Sequence, residues 1–110
     1  MAHSIKPRIM YIECKGDSLT GPARIGRVTF NRTGNTLSYD RKRFHRSEGF
    51  KSNYVCEETG ELYWISGPKK RGGDALYVTN ITTKIDYDVR EEYWTQIRKS
   101  PERVKETETL

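Results

Sequence analysis

The sequence predicts a small, mostly β (α+β) domain: a twisted antiparallel sheet or SH3-like partial barrel of five to six strands with one C-terminal helix. Three observations lead there. Short runs of alternating apolar and polar residues recur between residues 8 and 66, separated by Gly, Asn, Asp and Pro turn signals. The apolar spacing becomes helical only near residue 89. A chain of 110 residues also has room for only one modest core, since folding at this size buries about two-thirds of the unfolded surface. A flatter sheet with the helix on one face satisfies the same pattern.

The elements follow in order. Residues 1–7 read as a lead-in ended by Pro7. Residues 8–15 (RIMYIECK) form a strand with Ile9, Tyr11 and Glu13 on one side and Met10, Ile12 and Cys14 on the other. GDSLTGP (16–22) is a turn cluster. In ARIGRVTFN (23–31), Gly26, Val28 and Phe30 alternate with Arg27, Thr29 and Asn31, giving a strand with a partly basic outer face. RTGN (32–35) turns into TLSY (36–39), with Leu37 and Tyr39 inward, and Asp40, Arg41 and Lys42 lead to a further strand, RFHR (43–46). NYVCEE (53–58) and ELYWIS (61–66) meet at Thr59-Gly60 as a hairpin. GPKKRGGD (67–74) is a basic, Gly-rich loop, and ALYV (75–78) a short strand.

Val89, Tyr93, Trp94 and Ile97 then line one helical face, with Asp88 and Glu91 as an acidic, capping-box start and Ser100-Pro101 as the stop. Of the adjacent Tyr63 and Trp64 only one can face a one-sided core, and Trp64 is expected to pack on Trp94. The whole chain, 1–110, reads as a single domain with an ordered core over about 8–99 and a frayed tail over 102–110.

Charge is distributed unevenly. The formal net charge is +5, but residues 24–51 carry eight basic side chains against two acidic ones, while residues 86–110 carry five against seven. The basic excess sits in the β-rich middle, with a further cluster at Lys69, Lys70 and Arg71. Arginines on the outer face of strands can follow a sugar–phosphate backbone, and aromatics such as Phe30, Tyr39 and Phe44 lie among them. The Gly-rich loop could cradle phosphate, although it is not a Walker loop. No RNP signature, KH loop or zinc knuckle is present, so sequence-specific reading is not expected.

Signals for catalysis are weak. The two histidines are His3, in the lead-in, and His45. A His45/Cys56 nucleophile pair would need both side chains on one face with a third, orienting group. Metal-ligand spacing is absent. Cys14 and Cys56 show no disulfide-type spacing, and the first residues lack the apolar stretch of a signal peptide. The expectation is a reduced, cytoplasmic protein with no membrane partner.

The runs GPARIGRVTFNRTGNTLSYDRKRFHR (21–46), TGELYWISGPKKRGGDALY (59–77) and IDYDVREEYW (85–94) together resemble a family of short, uncharacterised bacterial proteins, some of which carry the label 1-deoxy-D-xylulose-5-phosphate synthase. The resemblance runs from about Tyr11 to Ile97 and implies a bacterial, intracellular domain. The label itself implies a thiamine-diphosphate enzyme. Such enzymes carry a Gly-Asp-Gly motif with a downstream Asn, whereas this sequence offers only Gly72-Gly73-Asp74. The resemblance therefore transfers no catalytic residue.

The function expected from the sequence is non-specific contact with the backbone of RNA or DNA through Arg24, Arg27, Arg41, Lys42, Arg43, Arg46, Lys69, Lys70 and Arg71. A protein-interaction or homodimerisation module is the alternative. Neither an enzymatic activity nor a cofactor or metal is expected.

Overall fold

The computed structural model describes residues 7–15, 23–49, 52–68 and 83–109. The fold is mostly β, as expected, with one C-terminal helical run. Six strands pair in a closed ring: β1 (Arg8–Cys14), β2 (Ala23–Phe30), β3 (Thr36–Tyr39), β4 (Lys42–Gly49), β5 (Ser52–Cys56) and β6 (Leu62–Ser66). Each is antiparallel to its sequence neighbour, and β6 returns to β1 through Ile12 opposite Ile65 and Cys14 opposite Tyr63. Two short strands extend this ring. β7 (Thr83–Ile85) lies parallel to the start of β2, and β8 (Glu108–Thr109) lies antiparallel to β7.

The hairpins form where the turn chemistry places them. Asn31 and Thr36 close the β2–β3 turn through a backbone bond of 2.9 Å, and Gly34 takes φ +79° within it. The β3–β4 connection is a two-residue turn with Asp40 at φ 51° and Arg41 at φ 66°. Two successive left-handed residues match the right-handed twist of the flanking strands, and Asn-Gly is the usual occupant. Gly60, at φ +76°, closes the β5–β6 turn.

Strand alternation produces two cores on opposite sides of β1 and β2. Inside the ring Met10, Ile12, Val28, Leu37, Phe44 and Ile65 are buried together, and Phe44 meets Tyr63 edge-on at 4.8 Å. Outside it Ile9, Tyr11, Ile25 and Ile85 are covered by Val89, Tyr93 and Trp94. Trp64 packs against this outer cluster and Tyr63 against the inner one, so both rings are partly buried. β1 is thus enclosed on both faces. Its outer face also buries Glu13 and Lys15 completely, with the ammonium 2.6 Å from the carboxylate and the Tyr11 hydroxyl donating to the same group.

The helical run spans 87–97 as a 3-10 turn (Tyr87–Val89), one α-helical turn (Arg90–Glu92) and a π turn (Tyr93–Ile97). Its buried residues are the expected Val89, Tyr93 and Trp94, while Ile97, expected with them, is only partly buried against the same cluster. The start differs from expectation. The run begins at Tyr87 rather than beyond Asp88, no side chain caps it, and Asp86 at its head turns its carboxylate to the ring instead. At the far end Lys99 takes the left-handed φ of 57° and the Ser100 N–H donates to the Trp94 carbonyl at 2.7 Å, which closes the wide π turn.

Residues 102–109, expected to fray, carry structure. Pro101–Arg103 forms a 3-10 turn, the Arg103 guanidinium lies 4.2 Å above the Trp94 ring, and the Trp94 indole N–H donates to the Glu106 carbonyl. Backbone pairing with β7 then holds Glu108 and Thr109. Polar contacts, strand pairing and the apolar contact of Val104 with the outer core fix this tail, and none leaves an apolar periodicity to read. The strand expected over 75–78 lies outside the described residues.

Candidate nucleic-acid interface

The parity of each strand decides where its basic residues point. β4 sends Lys42, Phe44 and Arg46 to the inside of the ring and Arg43 and His45 to the outside. Because Phe44 fills the middle, Lys42 and Arg46 emerge at opposite mouths. β2 behaves in the same way: Arg24 stands at one mouth, whereas Arg27 faces the helical run. Arg41 occupies the exposed tip of the β3–β4 turn. The residues expected to make one stripe are therefore divided among several directions. Lys69, Lys70 and Arg71 lie outside the described residues.

Two of these arginines are committed to carboxylates. Arg24 donates from Nε and Nη2 to Asp86 Oδ1 at 2.8 and 2.6 Å, and the Tyr39 hydroxyl donates to Asp86 Oδ2 at 2.6 Å. Burial, and then the bond to Asp86, pushes the Tyr39 hydroxyl well above the ordinary phenol range. Arg27 reaches Glu92 at 3.0 Å and Asp88 at 3.8 Å. Both contacts tie the helical run to β2.

Other arginines are uncommitted. Arg8, Arg32, Arg41, Arg43 and Arg46 are exposed and form no ion pair among the described residues. Two of them meet at one mouth of the ring, in a cleft of about 420 Å³. Arg8 enters from the start of β1 and Arg46 from β4, whose guanidinium lies 5.7 Å from the centre of the Tyr54 ring. Phe30 and Tyr54 supply the aromatic walls. The β2–β3 turn forms a third side, where the Gly34 carbonyl accepts from the Tyr54 hydroxyl at 3.2 Å and the Asn35 carbonyl accepts from the Arg46 N–H at 2.7 Å. No carboxylate is among the described residues lining this cleft.

The opposite mouth is smaller, about 200 Å³, and of mixed charge: Arg24 and Lys42 share it with Asp40, Cys14, Tyr39 and Tyr63. A third groove, about 740 Å³, runs along the helical segment past Tyr87, Asp88, Arg90, Glu91 and Val104.

The arrangement for nucleophilic chemistry is different from the pair considered in the sequence. Cys56 points into the inner core and is buried, whereas His45, on the neighbouring strand, points outward. His45 instead bridges Thr36, at 3.2 Å from Nδ1, and Glu57, at 2.6 Å from Nε2. The bond from His45, with Arg43 nearby, holds the Glu57 carboxyl below the usual carboxylate range. This chain of groups lies on the open outer face of β3 and β4, and none of the three lines a described cleft. Neither Cys14 nor Cys56 forms a disulfide among the described residues. Among the described residues no group of three His, Cys, Asp or Glu side chains could hold a metal ion, and no helix is long and apolar enough to cross a membrane.

The chain matches no protein-family model, no curated protein and no solved structure. Geometry alone therefore carries the functional argument.

Sequence reasoning found Arg46 but passed over Arg8 and Tyr54. The signal was available as strand parity. Arg8 lies two residues before the inward Met10, Phe30 two after Val28, Arg46 two after Phe44, and Tyr54 two before Cys56. All four are inward positions, Arg8 and Phe30 at strand ends and Arg46 opposite Tyr54 within the β4–β5 ladder, and the closed ring gathers them at one mouth.

Proposed function

We propose that this domain contacts the sugar–phosphate backbone of RNA or DNA without reading sequence, in a reducing, cytoplasmic setting. The observation that carries this reading is the division among the arginines. Arg24 and Arg27 are held by carboxylates at and just before the helical run, whereas Arg8, Arg32, Arg41 and Arg46 are exposed and form no ion pair among the described residues, and Arg43 is exposed with only the Glu57 carboxylate nearby. Uncompensated guanidinium groups suit phosphate, which they bind through charge-assisted and often paired hydrogen bonds. The turn residue Arg41 adds support, because it stands at the exposed tip of the β3–β4 turn, open to a phosphate.

The test is the salt dependence of oligonucleotide binding by the Arg41→Gln/Arg43→Gln variant. Each phosphate that a single strand no longer has neutralised takes roughly 0.7 from the slope of log affinity against log salt, so the pair should remove about 1.4. Replacing Glu57 and Glu58, which offer phosphate only repulsion, should not weaken binding. An unchanged slope in the double arginine variant would count against these side chains as phosphate ligands.

A protein-interaction reading draws on one observation, Tyr87, which is 85% exposed at the head of the helical run with the Arg90 guanidinium 5.4 Å from its ring centre. Strands β1 to β6 are each paired on both sides, so an exposed edge of the ring offers it little. Nucleic acid co-purifying with the protein, seen in the absorbance ratio, favours the first reading over this one.

A further inference from the structure

The uncommitted arginines do not form a track; two of them converge on a cleft. That distinction bears on what form of nucleic acid the domain takes. A duplex presents phosphates along a convex surface and keeps its bases stacked inside, so it is served by cations spread over an open face. The mouth of the ring offers something else: two guanidinium groups facing an open-sided cleft of about 420 Å³ with aromatic walls. That volume lies within the range of pockets that enclose small molecules, and mouths of β-barrels are among their usual places.

We infer that this mouth holds a single unpaired nucleotide of a strand, its base against Phe30 and its flanking phosphates on Arg8 and Arg46. The inference rests on the nucleic-acid reading above and adds the substrate class, single-stranded over double-stranded. Arg46 is already oriented, because its guanidinium lies over Tyr54 and its backbone is fixed to the β2–β3 turn. Tyr54 is only 3% exposed, so it acts as the floor and Phe30, packed against the core but half-open, as the stacking wall. Asn35 stands at the rim, exposed, with its carboxamide unbonded among the described residues. An amide there can donate to or accept from any base edge, consistent with weak base preference. Entry of a base needs a strand whose nucleotides can splay outward, as unpaired nucleotides do.

The experiment uses the full chain and fluorescence anisotropy with one labelled mixed-sequence 12-mer, single-stranded and annealed to its complement, at ~50 mM salt where phosphate contacts are strongest. The single strand should bind at least tenfold more tightly than the duplex. Arg8→Gln/Arg46→Gln, at two exposed positions, should flatten the salt slope for the single strand by about 1.4. Phe30→Leu keeps an apolar side chain and removes the ring; it should weaken single-strand binding by about tenfold, the scale of one base stacked on an aromatic. Both variants are first matched to the parent by circular dichroism. Equal or tighter duplex binding overturns the inference. So does parent-like binding by both variants, and if Arg41→Gln/Arg43→Gln then lowers affinity, backbone contact survives without the cleft. If neither form of the 12-mer binds the parent, the nucleic-acid reading fails and this inference with it.

Discussion

Replacing Gly26 with Ala tests how the helical run is fastened to the ring. Gly26 lies on the inward side of β2, between the residues that pair with β7 and those that pair with β3. A Cβ there would stand 2.3 Å from Tyr39 Cε1, 2.5 Å from Asp86 Oδ2 and 2.9 Å from Tyr39 Cζ. In an unconstrained strand the change would stabilise by roughly 0.5–1 kcal/mol, because Ala loses less backbone freedom on folding. Here the sign should reverse. The Tyr39 ring cannot retreat without stretching its 2.6 Å bond to Asp86, and Asp86 cannot retreat without disturbing Arg24. Overpacking of this kind costs about 1–3 kcal/mol, and breaking a hydrogen bond to a charged group about 1.5–3 kcal/mol. The two overlap, since moving the ring breaks the bond, and the backbone gain offsets part, leaving a net loss of about 3 kcal/mol. At this size that lowers Tm by roughly 12–15 °C. Urea unfolding followed by the fluorescence of Trp64 and Trp94 measures it directly. Placing Gly26→Ala in a Tyr39→Ala background should shrink its cost, because the obstructing ring is gone and the Asp86 carboxylate, no longer bonded to it, is freer to give way. A Gly26→Ala protein as stable as the parent would refute the clamp.

Three further outcomes follow from the packing. Trp94→Ala should cost about 3–5 kcal/mol in urea unfolding, because Trp94 is fully buried and its indole N–H holds the tail through Glu106. Lys15→Met should cost about 3–5 kcal/mol by stranding the buried Glu13 carboxylate, and Glu13→Gln in the same chain should recover part of that loss. In a spectrophotometric titration, Tyr39 and Tyr63 should resist ionisation in the folded protein. Burial raises both, aided at Tyr39 by Asp86 and at Tyr63 by the Cys14 thiol. Because both hold the proton more tightly folded than unfolded, their contribution to stability is full below the ordinary phenol value of about 10 and declines as pH rises above it.

What the sequence disclosed was local. The alternation of Gly26, Val28 and Phe30, the turns at 32–35 and 59–60, and the helical spacing of Val89, Tyr93 and Trp94 each specify their own segment. Closure of the ring did not show, because the pairing of β1 with β6 joins residues far apart in sequence. For the same reason the burial of Glu13 and Lys15 as a pair could not be read from the strand alone, although the outer core encloses them. Asp86 carried no signal of its own, and only the folded chain brings Arg24 and Tyr39 to it. The candidate site was legible in composition and not in layout. A run of arginines was visible, but strand parity sends Lys42 and Arg46 to opposite mouths and turns Arg27 onto the helical run.

The claim on which the functional account depends is that the exposed, unpaired arginines bind phosphate. The most direct measurement is the anisotropy of a labelled mixed-sequence single strand titrated with the parent protein from ~50 mM to ~200 mM salt, a range over which each phosphate contact registers as roughly 0.7 in the log–log slope. Contact by Arg8 and Arg46 together with Arg41 and Arg43 predicts a slope of about −2.8, with little change between unrelated sequences. Absence of binding at ~50 mM salt, or binding whose affinity does not change across the range, would contradict the account.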